Sequence, residues 1–179
     1  VAPSVSQLTF DVDSPGGPAL DIRFSEAVLR SLSVTDIEVT ELSTGATLPP
    51  SRLHLFIDWQ AKEVRAAFRQ MPDGRYLDDG RYSVRIRSSS IHDDTGNTLS
   101  GDGRLEFTFL RGDVNGDASV NFIDLLVVAQ NYGRNDATFS QGDFNFDGMV
   151  NIDDLVVVTS AYATQLPLQR SEERRVGKE

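Results

Sequence analysis

Two stretches of the chain place oxygen-bearing side chains at the same positions of a twelve-residue segment. The segments run over 113–124 and 143–154, and positions 1, 3, 5, 9 and 12 are Asp or Asn in both. This is the ligand spacing of a Ca²⁺ loop, in which position 7 lends its backbone carbonyl to a hard cation that prefers oxygen. The predicted ligands of two calcium ions are Asp113, Asn115, Asp117, Ser119, Asn121 and Asp124, and Asp143, Asn145, Asp147, Met149, Asn151 and Asp154.

A surface turn rich in Asp, Asn and Gly is the alternative interpretation, because these residues also form turns for reasons of their own backbone. The duplication favours calcium. Residues 112–133 and 142–163 are identical at 11 of 22 aligned positions, and in both copies the five side-chain ligands are in register.

Each loop is followed by a helical pattern. Apolar residues recur at i, i+3, i+4 and i+7, which predicts one stripe of a short helix. Gly133 is placed to end the first helix. An EF-hand sensor has a helix before each loop and a Glu at position 12, whereas here a strand ending at Leu110 precedes the first loop and position 12 is Asp. The predicted helix stripes are Leu125, Val128, Ala129 and Tyr132, and Leu155, Val158, Thr159 and Tyr162.

Before the loops, the sequence contains short runs in which apolar and polar residues alternate, and Gly, Pro and Asp residues typical of turns separate these runs. They predict seven strands and an antiparallel two-sheet sandwich over residues 1–111. The predicted fold class is therefore mixed: an all-β Ig-like sandwich (1–111) followed by a small all-α pair of calcium loop–helix repeats (112–164). The predicted strands cover 8–12, 19–24, 37–42, 53–59, 64–68, 81–87 and 105–109.

Charge and composition exclude several classes of function. The chain has 179 residues, no cysteine and a net charge of −10, and residues 112–169 contain eight Asp and one base, Arg134. Such acidity opposes nucleic-acid binding, and no apolar run approaches the length that membrane insertion needs. His54 and His92 lack a partnered nucleophile, so we predict no catalytic residue, no site for an organic cofactor and no enzyme in this stretch.

The end of the chain is interpreted separately. Residues 170–179 have no apolar periodicity and resemble the translation of a sequencing-adapter oligonucleotide, so we interpret them as an artefact. The alternative is a natural charged tail. We expect 165–179 to be non-native or disordered, and the chain to be a fragment of a longer protein.

Two resemblances carry the functional expectation. The segments 20–28, 77–86 and 91–99 resemble a bacterial Ig-like domain of the SbsA type, and residues 112–163 resemble a type I dockerin. The dockerin resemblance implies folding on calcium and binding to a cohesin module. Ala118 departs from the usual glycine at position 6, which implies a strained first site and a more regular second one. At positions 10 and 11, Phe122, Ile123 and Ile152 form either an apolar docking patch or a contact with the sandwich.

The leading hypothesis is a non-catalytic, calcium-dependent docking module of a secreted or cell-surface bacterial protein, with a cohesin-like partner. Carbohydrate would be involved only indirectly, through polysaccharide-degrading assemblies. One alternative is a calcium-stabilised structural cap or spacer. Another is the C-terminal fragment of an exported glycoside hydrolase.

Overall fold

The computed structural model describes residues 1–28, 30–58 and 60–167. Trp59, predicted at the end of the fourth strand, lies outside these ranges, as do residues 168–179 with the segment interpreted as an artefact. Within these ranges, no helix has the length and apolar character needed to cross a membrane.

Alternating side chains produce the strands. In the second strand Leu20, Ile22 and Phe24 are buried and Arg23 is exposed, because successive side chains of a strand point to opposite faces. All seven predicted strands are present. They are β1 (Val5–Asp11), β2 (Ala19–Phe24), β3 (Ile37–Glu41), β4 (Leu53–Asp58), β5 (Glu63–Phe68), β6 (Gly80–Ile86) and β7 (Gly103–Phe109).

The strands form two antiparallel sheets, ordered β1-β2-β5-β4 and β3-β6-β7. Lettered A to G along the chain, this is ABED against CFG, the order of a constant-type immunoglobulin sandwich. Tyr82 of β6 donates its hydroxyl hydrogen to the carbonyl of Asp78 at 2.8 Å, which is the tyrosine corner of such sandwiches. Burial raises the pKa of the Tyr82 hydroxyl far above its usual range, so the group remains a donor.

Two short helices follow the sandwich: α1 (Phe122–Asn131) and α2 (Ile152–Ser160). Asn121 and Asn151 cap them, each side chain accepting a hydrogen bond from the backbone N–H two residues on, at 2.8 and 2.7 Å. An Asp at the third helical position completes a capping box in both. Loop position 9 therefore also starts a helix.

The two copies pack on each other as a pseudo-twofold pair. Val128 of α1 and Val158 of α2 are fully buried. A Cβ atom on Gly142 would lie 3.3 Å from the Cα of Val128, and one on Gly112 would lie 3.5 Å from the Cα of Val158. Both glycines also have positive φ, 104° and 94°. A glycine ahead of each loop thus lets the chain lie against the helix of the other copy.

The junction with the sandwich is aromatic. The ring centroid of Phe139, in the connector between the copies, lies 5.7 Å from that of Phe109 in β7 and 5.1 Å from that of Phe144 in the second loop. Beside them, Ser140 donates its backbone N–H and its hydroxyl to the carboxylate of Asp13 at 2.8 and 2.7 Å. The second copy is thereby fixed to the sandwich.

The predicted fold class is wrong. We expected a sandwich followed by a separate small all-α unit, whereas the chain is predominantly antiparallel β-sheet with two helices of 10 and 9 residues. Buried side chains of the sandwich and of the repeats form one continuous hydrophobic cluster. The reason is that helices this short bury too little apolar surface to close a core alone. They use the end of the sandwich as part of their core.

Two observations concern the edges of the repeats. The predicted helix stripes are buried at Val128 and Val158 and partly buried at Leu125 and Leu155, whereas Tyr132 and Tyr162 are 56% and 48% exposed. The ordered chain also continues past residue 164, because the backbone N–H of Leu166 donates to the carbonyl of Ala118 at 2.9 Å. Residues 165 and 166 therefore contact the first loop, while the predicted division of the chain into domains and tail stays a prediction.

Candidate metal centre and exposed helix face

In the first loop, backbone amides surround the carboxylate at position 1. Oδ1 of Asp113 accepts from the N–H of Gly116 at 2.8 Å and of Asp117 at 3.2 Å, and Oδ2 accepts from the N–H of Ala118 at 2.8 Å. The Asn115 amide donates to the Asp117 carboxylate at 3.0 Å. The coil of the loop thus wraps the backbone of positions 4 to 6 around the carboxylate of position 1, and it brings the side chains of positions 3 and 5 together.

The second loop repeats this geometry. The carboxylate of Asp143 accepts from the N–H of Asp147 at 3.2 Å and of Gly148 at 2.8 Å. The Asn145 amide donates to the Asp147 carboxylate at 2.9 Å. The two sequences differ at half of their aligned positions, yet the Asp and Asn residues that they share make matching hydrogen bonds in both loops.

Position 12 closes each loop. Asp124 accepts from the N–H of Val114 at 2.9 Å and of Asn121 at 2.8 Å, which ties position 12 to positions 2 and 9. Asp154 makes the matching bonds with Phe144 and Asn151 at 2.8 and 2.9 Å. At position 7, Ser119 forms an isolated bridge with Gln165, and Met149 forms one with Asn135.

Four carboxylates of the loops are buried. Asp113, Asp124, Asp143 and Asp154 are 6%, 0%, 2% and 0% exposed. In the part of the chain that the structure describes, none of them forms a salt bridge with Lys or Arg. Burying an ionised carboxylate without a cation is costly. The loops therefore concentrate negative charge that their own side chains leave uncompensated.

The carboxyl groups at position 1 of both loops have raised pKa values, and burial is again the main cause. Burial raises the pKa values of Asp113 and Asp143 above the usual range of a carboxyl group, although backbone N–H bonds act in the opposite direction. The charges of Asp117 and of Asp147 and Asp154 raise these pKa values further.

The donor set fits a hard cation, since each loop offers three carboxylates, two amide oxygens and a carbonyl. The ligand side chains of each loop do not all converge on one point. Over the described residues, no three His, Cys, Asp or Glu side chains form a group that could hold a metal. In both loops the carboxylates bond to backbone N–H groups instead. The two calcium ions therefore stay a prediction.

Backbone strain is divided between the loops. Ala118, at position 6 of the first loop, has a φ of 65°, the left-handed conformation expected from its place in the spacing. The second loop has Gly148 there but Phe146 at position 4, with a φ of 61°. A left-handed non-glycine residue costs roughly 1–2 kcal/mol. The spacing predicts strain only at position 6, so it does not account for the left-handed Phe146 in the second loop.

The helices leave an apolar face uncovered. Phe122, Ile123 and Leu126 of α1 are 63%, 54% and 42% exposed, and Ile152 and Val156 of α2 are 56% and 55% exposed. The sequence left open whether positions 10 and 11 pack on the sandwich. They do not, and Phe139 and Phe146 make that contact instead, through Phe109 and Tyr76. We call the five exposed residues of the two helices the helix face: Phe122, Ile123, Leu126, Ile152 and Val156.

No family model matches the chain. No curated protein matches it either. Two solved structures are similar to parts of it. One, described as "Type II cohesin-dockerin domain from Bacteroides cellolosolvens", is 31% identical, covers 35% of this chain and 98% of its own, and has a TM-score of 0.31.

The other is the "Coh3ScaB-XDoc_M1ScaA complex", an interface mutant of a type II cohesin-X-dockerin complex from Acetivibrio cellulolyticus. It is 14% identical, covers 73% of this chain and 82% of its own, and has a TM-score of 0.29. TM-scores this low do not establish a shared fold. Both descriptions name type II complexes, and neither a type I dockerin nor an SbsA-type domain is among these matches.

Proposed function

We propose that this chain is a non-catalytic protein-docking module whose helix face is presented by two calcium-stabilised loops. The observation that carries the proposal is the duplicated loop, with two buried carboxylates in each copy and no basic side chain within salt-bridge distance of them in the described structure. Bound calcium would supply the positive charge that these carboxylates need. The ligands we propose are the twelve residues predicted from the spacing.

The chain's own residues connect the loops to the helix face. Asp124 and Asp154 close their loops through positions 2 and 9, and position 9 caps the helix that follows. When both carboxylates of a loop are ionised and uncompensated, their repulsion opposes this closure. Loop closure, helix start and the orientation of positions 10 and 11 are therefore one coupled event.

The partner we propose is a cohesin-type module, in line with the resemblance of the duplicated signature to dockerins. The helix face supplies apolar side chains, and the buried core of a protein interface is more apolar than the rest of a protein surface. Phe122 and Ile152 occupy equivalent positions of the two copies, as do Leu126 and Val156. A partner could therefore bind either copy. We also propose an extracellular or cell-surface location, where millimolar calcium suits loops of modest affinity.

The test uses the whole chain. In excess calcium we expect thermal unfolding at a higher temperature than in EGTA, with about 2.7 kcal/mol per site once free calcium is a hundredfold above Kd. We also expect binding to at least one module in a panel of immobilised cohesins, in calcium only. The double variant Asp143→Ala/Asp154→Ala should lose the second increment of stability, while Asp58→Ala on the sandwich is the matched control. Unfolding that does not respond to calcium contradicts the proposal, and so does cohesin binding that survives EGTA.

A structural cap is the second candidate, and the aromatic junction favours it. Phe139 is 3% exposed, and the sandwich and the repeats share one hydrophobic cluster. In this case calcium would stabilise the chain while no module in the panel binds it. Whether the parent protein is an exported glycoside hydrolase stays a prediction, which the full-length gene tests.

A further inference from the structure

The two loops differ at position 4. In the first loop this position is Gly116, with a φ of 71°, and a Cβ atom there would meet no heavy atom within 4 Å. In the second loop it is Phe146, with a φ of 61°. Phe146 lies between two of the proposed ligands, Asn145 and Asp147. A phenylalanine holds this left-handed conformation only when its surroundings stabilise it.

Two rings supply that stabilisation. Phe146 packs edge-on against Tyr76 of the sandwich at a centroid distance of 5.1 Å, and it stacks on Phe139 at 5.6 Å. Phe139 packs in turn on Phe109 of β7. Edge-on and offset ring pairs at such distances are favourable. Residues of the sandwich thus stabilise the backbone conformation of the second loop at position 4. Position 4 of the first loop has no such support, because no heavy atom lies within 4 Å of a Cβ placed on Gly116.

Tyr76 is itself fixed by a glycine turn. A Cβ atom on Gly17 would lie 2.6 Å from Cζ of the Tyr76 ring, so the ring lies directly on the backbone there. The adjacent Gly16 has a φ of 81° and no heavy atom within 4 Å of its Cβ position. Tyr76 therefore contacts both the backbone at Gly17 and the ring of Phe146.

We propose that Tyr76 is a positioning residue for the second calcium loop. By holding Phe146 in the left-handed conformation, the sandwich orders Asn145 and Asp147 before the ion binds, so the second site gains affinity that the first site lacks. This inference rests on the calcium binding proposed above, and it adds that the sandwich tunes one of the two sites.

The experiment reads the two sites separately in one protein. Amide signals of Gly116 and Gly148 report the first and second loops, and free calcium is set by an EGTA buffer. We expect Tyr76→Ala to move the Gly148 midpoint to about five- to thirtyfold higher calcium, the change that a left-handed residue without support implies. The Gly116 midpoint should stay in place. Tyr76→Phe, which keeps the ring, should titrate as the unmodified chain does.

A second pair of variants leaves both rings in the protein. Gly17→Ala should displace Tyr76 and shift the Gly148 midpoint in the same direction. Gly16→Ala is the control, because it strains the same turn without touching the ring.

A further test removes the need for support. In a Phe146→Gly background, Tyr76→Ala should have no effect on either midpoint, because glycine needs no support at this φ.

The outcomes separate the two proposals. If Tyr76→Ala shifts both midpoints equally, or neither, the positioning role is overturned while calcium binding stands. If neither glycine signal responds to calcium in the unmodified chain, the proposed metal sites fall, and the positioning role falls with them.

Discussion

The carbonyl of Val120 accepts the backbone N–H of Ala163 at 2.8 Å, and the N–H of Val120 donates to the carbonyl of Thr164 at 2.8 Å. Val120 is position 8 of the first loop, and its partners follow the second helix. The mirror relation holds for Val150, which bonds with Gly133 and Arg134 after the first helix at 2.8 and 3.0 Å. Each loop is thus closed by the chain that leaves the other helix, so neither copy is complete alone.

This pairing predicts that residues 163–167 are needed by the first loop, fifty residues away in sequence. A chain ending at Tyr162 loses three backbone hydrogen bonds to the first loop, two at Val120 and one at Ala118. We expect about 2–4 kcal/mol less stability by urea unfolding, with faster hydrogen exchange at the Val120 amide. A chain ending at Pro167 is the control, and equal stability of the two truncations would refute the prediction.

The shared core predicts a single unfolding transition. Phe139 joins the sandwich to the repeats, and replacing it with Ala should cost about 3–5 kcal/mol. We expect calorimetry of the unmodified chain in calcium to show one transition, and that of Phe139→Ala to show two. Phe56→Ala, on the exposed face of β4 and 57% exposed, is the control for loss of a phenyl ring. Two transitions in the unmodified chain would mean that the junction does not couple the parts.

The helix face predicts a separation of binding from stability. Phe122→Ala should change the free energy of unfolding by no more than about 0.5 kcal/mol, since the side chain is mostly exposed. It should nevertheless weaken binding to a cohesin-type partner. Val128→Ala, on the buried side of the same helix, should cost about 2 kcal/mol and leave the face unchanged. A loss of stability in Phe122→Ala as large as that in Val128→Ala would contradict an exposed docking role.

Asp102 predicts how the sandwich responds to acid. The backbone N–H of Ser88 and the Arg85 guanidinium lower the pKa of this carboxyl to about 2. Because the pKa in the folded state lies below the unfolded value, the ionised group stabilises the fold above the unfolded pKa. That contribution is lost as pH falls toward 2. Asp102→Asn should therefore destabilise the chain at pH 7 and show less difference at pH 2. A constant difference across this range would exclude the titration of Asp102 as its cause.

The strands and the loop positions follow from local patterns, so the sequence predicts them. Alternation places Leu20, Ile22 and Phe24 on one face whatever the strand packs against. Asp and Asn at fixed spacing bond to nearby backbone N–H groups, so the coil around Asp113 and the caps at Asn121 and Asn151 form within twelve residues. The tyrosine corner at Tyr82 is also a local feature that a sequence pattern can predict, since its hydrogen bond joins residues four apart.

Long-range packing decided the rest. Nothing local to Phe139 or Phe146 shows that they contact Phe109 and Tyr76, because such partners meet only when the sandwich and the repeats share a core. That sharing overturned the predicted all-α unit. It also settled that Phe122 and Ile152 face outward. The sequence by itself determined which oxygen atoms each loop places at the spacing of the proposed calcium sites. The tertiary structure alone decided which distant segments support each loop: the chain after the other helix for both, and a tyrosine of the sandwich for the second.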